Sequence, residues 1–508
     1  MARAWELPVC LDALSCFPVV DGLAASGRSR TAVAHLFLKI RRAGLRTTAE
    51  GAGGLTRVLF LLAFSLRLCP NAQAVPSFTR QTGLVCNVCH STPPELTAFG
   101  RKFKLDGYTL TDKKANTTID DKDLRLSRYF PIGGMASVGE TGTNTPEPGT
   151  QNWNTSVHLT LYLAGEMAPH VGAMIQTSYA TGSDHLTLNN TDIRYANHTT
   201  IGSKDLLYGL TINNNPTIAD VWNSTPAWGY PWFGGNGPSP GAQPLIAGAL
   251  AQDVFGLGAY AMWNDHLYAG VSVYRSVHLG GSQPLNGEGF PFNINGAAPY
   301  WRVAWQQSWG LNYLEVGTYG IYVSSVPGGV TGLHDTYADP SLDLQYERPF
   351  GVNLLTVHAT FIHEISNLNA TFAAGGAAES AHHLNTFRSD ATYHLRSHYT
   401  FTLAEFSTSG NEDPLLYAPA PVTGSALGSP NSSGFIGQVG YWPLQNILPR
   451  HPQLRRRNRT WPRQQHRRSH EPELRQTMQP PPMEKARSIL TAALDATGSA
   501  EVVALGQR

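Results

Sequence analysis

The sequence predicts an all-β protein, an antiparallel outer-membrane-type β-barrel of about 14–16 strands preceded by a short, mostly helical segment. Three observations predict this fold. Segments in which apolar and polar residues alternate recur through the middle of the 508-residue chain. Charged residues make up only 14% of the chain, against about 25% in soluble domains, whereas Gly (50), Tyr (20) and Trp (11) are abundant. No segment after residue 74 has the ~20 consecutive apolar residues of a transmembrane helix.

Residues 54–74 are typical of a signal peptide, so we predict that the protein is exported. A charged stretch precedes a short apolar run, and Ala72-Gln73-Ala74 supplies the small residues that a signal peptidase requires. The mature chain is therefore expected to begin at Val75. Residues 1–53 fit neither a signal peptide nor a domain, and we interpret them as a doubtful extension from an early start codon. Cys69 offers a lipoprotein alternative, but the residues before it suit a lipobox poorly.

The motif Cys86-Asn87-Val88-Cys89-His90 follows the predicted cleavage site closely. Two thiols at this spacing can add to the two vinyl groups of one haem, and the adjacent imidazole can ligate the iron. The chain has five cysteines, and the other three lie before the predicted cleavage site. The mature protein would thus keep only the two thiols that one c-type haem consumes. A redox dithiol or half of a zinc site is the alternative, although no further zinc ligands stand at a matching spacing.

Residues 75–126 are predicted to form the haem-binding segment. Apolar side chains that could cover a haem face, or pack a small helix, follow the motif: Leu96, Phe99, Phe103, Leu105 and Tyr108. The distal ligand stays open. Met135 is the nearest downstream methionine and is our candidate, with His158 and His170 behind it, and a vacant or water-filled position is the other alternative. A segment of this size has too little core to fold well alone, so haem would supply the missing apolar surface.

Residues 127–447 are predicted to form the barrel, with about fourteen strands between 127 and 444. Each alternating segment is about 8–12 residues long, which suits a strand that crosses a membrane at a tilt. The segments are 156–163, 171–179, 185–195, 205–212, 254–263, 267–274, 300–309, 313–323, 341–346, 354–362, 383–395, 399–406 and 435–442.

The links between these segments favour a barrel over a soluble β-domain. Short links at 264–265, 310–311 and 396–397 alternate with long links rich in Gly, Pro and Asn. Aromatic residues stand near strand ends, where the interfacial girdles of a membrane barrel lie; examples are Trp301, Trp305, Trp309, Tyr441 and Trp442. A large periplasmic β-domain is the alternative, because its strands alternate too, but they are usually shorter.

Residues 448–508 have a different character from the barrel. The stretch is basic, as in Arg455-Arg456-Arg457, and shows no alternation of apolar and polar residues. We interpret it as a disordered or frameshifted tail, with a basic arm for anionic lipid as the alternative. Two strands lost to a frameshift would bring the expected total to an even number near sixteen. The net charge of +1 excludes a general nucleic-acid binder, which would show a basic excess.

Residues 78–90 (FTRQTGLVCNVCH) and 94–108 (PELTAFGRKFKLDGY) resemble the fused outer-membrane monohaem cytochrome c–porin family, which includes bacterial iron oxidases. The resemblance covers about thirty residues and implies a barrel of about sixteen strands behind the haem segment. It also implies that Cys86 and Cys89 form the haem thioethers and that His90 is the proximal iron ligand. The last strands of the family pattern are absent here, which leaves the closure of the barrel open.

Together these features predict a protein that transfers single electrons at the bacterial outer membrane. One c-type haem would pass electrons from an extracellular donor, with ferrous iron permitted by the resemblance, to a periplasmic carrier such as a soluble cytochrome. The other expected partner is outer-membrane lipid. Two alternatives stand beside this hypothesis. One is a porin whose haem segment is a structural plug, and the other is a soluble periplasmic cytochrome with a β-rich domain.

Overall fold

The computed structural model describes residues 2–3, 76–110, 118–121, 124–127, 131–142, 153–180, 185–225, 242–247, 250, 254–276, 292–327, 332–396, 398–417, 428–442 and 450–456. The predicted signal peptide lies outside the described residues, as does the predicted extension except for residues 2–3. Among the helices of the described ranges, none is long and apolar enough to cross a membrane. The domain boundaries given above stay predictions.

The described chain consists mainly of strands, with a few short helices. The strands are β1 Ala2–Arg3, β2 His90–Thr92, β3 Glu95–Leu96, β4 Thr118–Asp121, β5 Leu124–Ser127, β6 Ile132–Gly142, β7 Trp153–Ala168, β8 Val171–Ala180, β9 His185–Ile201, β10 Lys204–Asn213, β11 Val254–Trp263, β12 Leu267–Ser276, β13 Phe292–Ile294, β14 Ala298–Trp309, β15 Asn312–Pro327, β16 Asp335–Ala338, β17 Ser341–Phe350, β18 Asn353–Leu368, β19 Ala381–Leu395, β20 Tyr399–Gly410, β21 Ser432–Tyr441 and β22 Arg450–Arg456. The helices are α1 Pro76–Thr82, α2 Cys86–Cys89, α3 Ala98–Leu105, α4 Pro216–Ala219, a 3-10 turn Leu245–Ala247 and α5 Asn369–Ala373.

One antiparallel sheet of 18 strands forms the barrel. It contains β1 and every strand from β6 to β22, whereas β2–β3 and β4–β5 are separate two-stranded pairs. The short strand β1 pairs with both β22 and β6, so the sheet returns to its first long strand. The predicted fold class, an all-β antiparallel barrel behind a short segment with helices, is therefore confirmed.

The number of passes across the barrel agrees with the sequence prediction. Strands β13 and β14 are two pieces of one path that pairs with β15, and β16 and β17 are two pieces of the next path. The 16 strands from β6 to β21 thus make 14 passes, as expected for residues 127–444. Strand β22 adds a further pass from residues 450–456, which the sequence assigned to the tail.

Side chains alternate between the outer surface and the lumen. In β17, Leu342 is 60% exposed on the outside, whereas its neighbours Ser341 and Asp343 are buried in the lumen. In β11, Phe255 and Leu257 face outwards in the same way. The barrel thus presents an apolar outer surface and a polar lumen, the arrangement of a membrane barrel and the reverse of a soluble one.

The short links are tight turns, as predicted. Asn264 and Asp265 both have positive φ, at 53° and 55°, and the His266 amide donates to the Trp263 carbonyl at 3.0 Å. This is a type I′ turn, for which Asn and Asp are favoured because they tolerate the left-handed region. Such links define the short-turn end of the barrel, and the long links join strands at the opposite, long-link end.

Candidate functional site

The two cysteines of the predicted haem motif lie on a single helical turn that packs against helix α3. Cys86 and Cys89 begin and end α2, and neither thiol is in a disulfide. The Thr97 amide donates to the Cys89 carbonyl at 3.0 Å. A Cβ on Gly100 would lie 2.1 Å from that carbonyl oxygen, so only glycine permits this close contact.

The His90 ring is held by the chain that follows it. Its Nδ1 lies 3.2 Å from the Glu95 carbonyl oxygen, which can only accept, so Nδ1 is the donor in this contact. Burial lowers the pKa of His90, which favours the neutral, ligating form of the ring. Burial and the neighbouring Cys86 raise the pKa of Cys89 to about 11. Two thiols on one turn and an oriented imidazole beside them fit the attachment groups of a c-type haem.

The side chain of Glu95 reaches the barrel wall, where three residues of β18 and β19 surround it. Its Oε1 lies 3.2 Å from His358 Nε2, and its Oε2 lies 3.9 Å from His394 Nε2. The other nitrogen of His358, Nδ1, lies 3.2 Å from Asp390 Oδ2. Burial raises the pKa of Glu95, and the nearby His358 opposes this rise. The loop that orients His90 is therefore attached to the wall by a buried ionic cluster.

Helix α3 is fixed in the lumen by two buried cations. Arg101 Nη1 donates to Glu347 Oε1 at 2.5 Å, and the guanidinium lies 4.4 Å from the centre of the Tyr313 ring. Lys104 Nζ donates to the carbonyls of Ile218 and Asp220 at 2.6 and 3.1 Å. Burial, together with a neighbouring arginine, lowers the pKa of Lys104 to about 8.

The end of the segment is attached to β9. The Tyr108 hydroxyl donates to Asp192 at 2.6 Å, and Asp106 lies 2.8 Å from His198 Nε2. The exposed Lys102 lies 3.5 Å from Asp265 of a short turn, which places α3 at the short-turn end. We call residues 76–110 the plug segment, because these contacts hold them inside that end of the barrel.

The apolar residues expected around a haem divide into two groups. Phe103, Leu105 and Tyr108 are buried; Phe103 and Tyr108 pack with Phe78, and Leu105 joins a core cluster with residues of the wall. Phe99 is 40% exposed and Leu96 is partly buried. Phe103, Leu105 and Tyr108 therefore pack a small core, which was the alternative to covering a haem face. Only Phe99 and Leu96 keep accessible apolar surface beside the motif.

The link between β10 and β11 enters the lumen from the opposite end. The described part of this link, 214–225, lies in the lumen and constricts it. Trp222 Nε1 donates to the Tyr313 hydroxyl at 2.8 Å. Arg302, 1% exposed, lies within 3.2 Å of Asp220 and also contacts carboxylates of β15 and β17. The loop and the plug segment meet at Lys104, so segments from both ends of the barrel come into contact within the lumen.

The predicted distal candidates lie on the barrel rather than in the plug segment. Met135 is opposite Thr160, whose side chain is buried in the lumen, so Met135 faces the lumen too and stays a candidate. The sequence prediction did not include His358 and His394, which lie far from the motif in sequence; in the structure they lie beside Glu95. Among the described residues, no group of three His, Cys, Asp or Glu side chains is arranged to hold a metal ion.

Comparisons with known proteins return only distant structural similarity. No protein-family model and no curated protein matches the chain. The chain is similar to OmpF of Salmonella typhi in its complex with daunomycin (11% identity, TM-score 0.38, 67% of this chain and 100% of that chain). It is also similar to a mutant of the Rh. blastica porin (12%, 0.30, 63% and 99%) and to a loop-deletion mutant of Vibrio cholerae OmpT (9%, 0.29, 63% and 98%). Similarity at these identities and scores assigns no function to this chain.

Proposed function

We propose that this chain is an outer-membrane barrel whose lumen is closed by a resident N-terminal plug. The apolar outer surface supports placement in a membrane, because a closed sheet satisfies its backbone hydrogen bonds without water. The observation that carries the proposal is the insertion of α3 into the lumen, where Arg101 and Lys104 are paired and buried.

The energy of these contacts favours a plug that stays in place. Removing one partner of a buried ion pair costs about 3–5 kcal/mol, because the other charge stays buried and uncompensated. Withdrawal of the plug segment would leave the Glu347 carboxylate without its cation, Arg101, and would also leave Asp192 without the hydrogen bond from Tyr108. Solute therefore passes the lumen slowly in the native state.

Solute flux through liposomes tests this proposal with a matched pair of variants. Arg101→Ala removes the buried contact with Glu347, whereas Lys102→Ala removes an exposed side chain on the same helix. We expect size-dependent flux to rise with Arg101→Ala and to stay at the wild-type level with Lys102→Ala. High flux in the wild-type protein, unchanged in both variants, would refute a resident plug.

A second function, one-electron transfer, is supported by the haem motif within the plug segment. We propose that Cys86 and Cys89 attach one c-type haem and that His90 ligates it, since both thiols share a helical turn and the ring orientation is fixed. When bound, the haem supplies a one-electron iron couple. Electrons would pass between an extracellular donor, with ferrous iron as one candidate, and a periplasmic carrier such as a soluble cytochrome. The resemblance to the fused cytochrome c–porin family supports this second function.

A haem-stained gel of isolated outer membranes, with boiled and unboiled samples side by side, tests the second function. A stained band that shifts on boiling, and loses its stain in Cys86→Ser/Cys89→Ser, is the expected result. A shifting band without stain would leave the plugged barrel alone. Stain that appears only in the soluble fraction would support the soluble periplasmic cytochrome and contradict both proposals.

A further inference from the structure

The cluster around Glu95 joins the barrel wall to the haem motif through one residue. The carboxylate of Glu95 is 4% exposed and lies between His358 and His394 of the wall. The backbone carbonyl of the same residue accepts from His90 Nδ1 at 3.2 Å. A displacement of the Glu95 side chain would therefore move the group that orients the imidazole.

The local backbone makes this connection short. His90 begins β2, Glu95 begins β3, and the two strands pair as a hairpin with His90 opposite Leu96. Only four residues separate the imidazole from the carbonyl that holds it. Thr97, which follows the hairpin and caps α3, donates to the carbonyls of Val88 and Cys89 in the helical turn of the motif.

We propose that Glu95 is a positioning residue through which the barrel wall sets the orientation and basicity of His90. This inference rests on the proposed haem attachment. A hydrogen bond from the second ring nitrogen fixes a ligating imidazole and raises its basicity. A more basic ligand and a buried negative charge nearby both favour the ferric state, so the wall cluster lowers the reduction potential of the iron.

Another buried carboxylate provides the matched control for this role. Glu347 also ties the plug segment to the wall, but it does so through Arg101, whose contact with the hairpin is to the Leu96 carbonyl and not to His90 or Glu95. Glu95→Gln and Glu347→Gln each remove one buried negative charge and one attachment of the plug segment. Glu95→Asp keeps the charge and shortens the side chain, so it separates position from charge.

The experiment uses the full-length protein in detergent or liposomes, with the boiling-dependent gel shift as the test of folding. Haem content is measured by the pyridine haemochrome assay, followed by the midpoint potential and the electron paramagnetic resonance spectrum of the ferric form. We expect Glu95→Gln to raise the ferrous-to-ferric ratio at the wild-type midpoint about tenfold, which is 59 mV for one electron. Glu95→Asp should change the resonance spectrum as well, and Glu347→Gln should retain the wild-type spectrum.

The outcomes separate this inference from the proposed function. Wild-type protein that folds without haem contradicts the haem attachment itself. Haem-loaded Glu95→Asp with a wild-type spectrum, or Glu347→Gln with a shift as large as that of Glu95→Gln, would overturn the positioning role. If Glu95→Gln fails to fold, His394→Gln removes a wall partner instead, and we expect it to change the spectrum in the same sense.

Discussion

Replacement of Arg302 by methionine should destabilise the barrel and release the loop that constricts it. Arg302 is 1% exposed and is the cation shared by Asp220 of the loop, Glu315 and Asp343. Its guanidinium also lies 4.7 Å from the centre of the Trp222 ring. Arg302→Met preserves much of the volume and removes the charge, so three carboxylates stay buried without their cation.

The expected loss of stability is about 3–5 kcal/mol, the cost of breaking a buried ion pair from one side. Urea unfolding in liposomes, followed by the boiling-dependent gel shift, measures this loss, and limited proteolysis reports release of residues 214–225. The matched control is Arg348→Met, because Arg348 is exposed on the neighbouring wall and its loss should change stability by less than about 0.5 kcal/mol.

A second substitution tests the reason for the effect. Adding Asp343→Asn to Arg302→Met removes one of the uncompensated charges, so the double variant should recover part of the lost stability. Equal stability of Arg302→Met and Arg348→Met would refute the reasoning. So would a double variant less stable than Arg302→Met, since the buried charge would then not be the source of the loss.

Three further predictions concern single contacts. Burial would raise the pKa of Asp413, but four backbone amides that donate to it lower the pKa to about 2. The ionised Asp413 should therefore contribute its full stabilisation above about pH 4, and this contribution should be lost as the pH falls through about 2. Protease protection of residues 411–417 should show this loss. Asp413→Asn should remove the pH dependence. Trp222→Phe should cost about 0.5–1.5 kcal/mol in urea unfolding, because it removes the hydrogen bond to Tyr313. Gly100→Ala should separate α3 from the motif, since the added Cβ would lie 2.1 Å from the Cys89 carbonyl oxygen. Haem staining of this variant should therefore fall. The control Gly437→Ala has open space around the added Cβ and should stain normally.

The strands could be predicted because their signal is local. Segment 254–263 has the same bounds as β11, since Phe255 and Leu257 alternate with glycines at its start and the Asn264-Asp265 turn ends it. Strand β9 runs to Ile201, beyond the predicted end at Tyr195, because residues 197–200 (NHTT) are all polar and interrupt the alternation of apolar and polar side chains.

Strand β22 could not be predicted from alternation. Residues 450–456 are basic and contain a proline, so the sequence placed them in a tail. In the structure they pair with β21 from Gly434 to Gly440. The open edge of β21 offers unpaired amides and carbonyls to any extended segment, and this backbone interaction depends weakly on side chains. The sequence contains no signal for such a pairing beyond the extended chain itself.

The candidate site was predictable only in part, for the same reason of locality. Cys86, Cys89 and His90 lie within five consecutive positions, so a haem site can be predicted from their spacing. Glu95 and His358 are joined across 263 positions by the closure of the barrel, and no local pattern connects them. The structure pairs His358 with two carboxylates, Glu95 and Asp390.

Helix α3 shows why the plug segment could not be placed inside the barrel from its sequence. In a soluble helix the apolar face is buried and the charged face is exposed, so the sequence AFGRKFKL would place both Phe99 and Phe103 inwards. In this barrel Arg101 and Lys104 are buried and Phe99 is partly exposed. The burial of Arg101 and Lys104 beside Phe103 follows from the polar lumen, since a plug inside it must provide partners for the charges that it buries. A short segment rich in both aromatic and charged residues is thus expected ahead of a plugged barrel, with some of its charges paired inside the lumen.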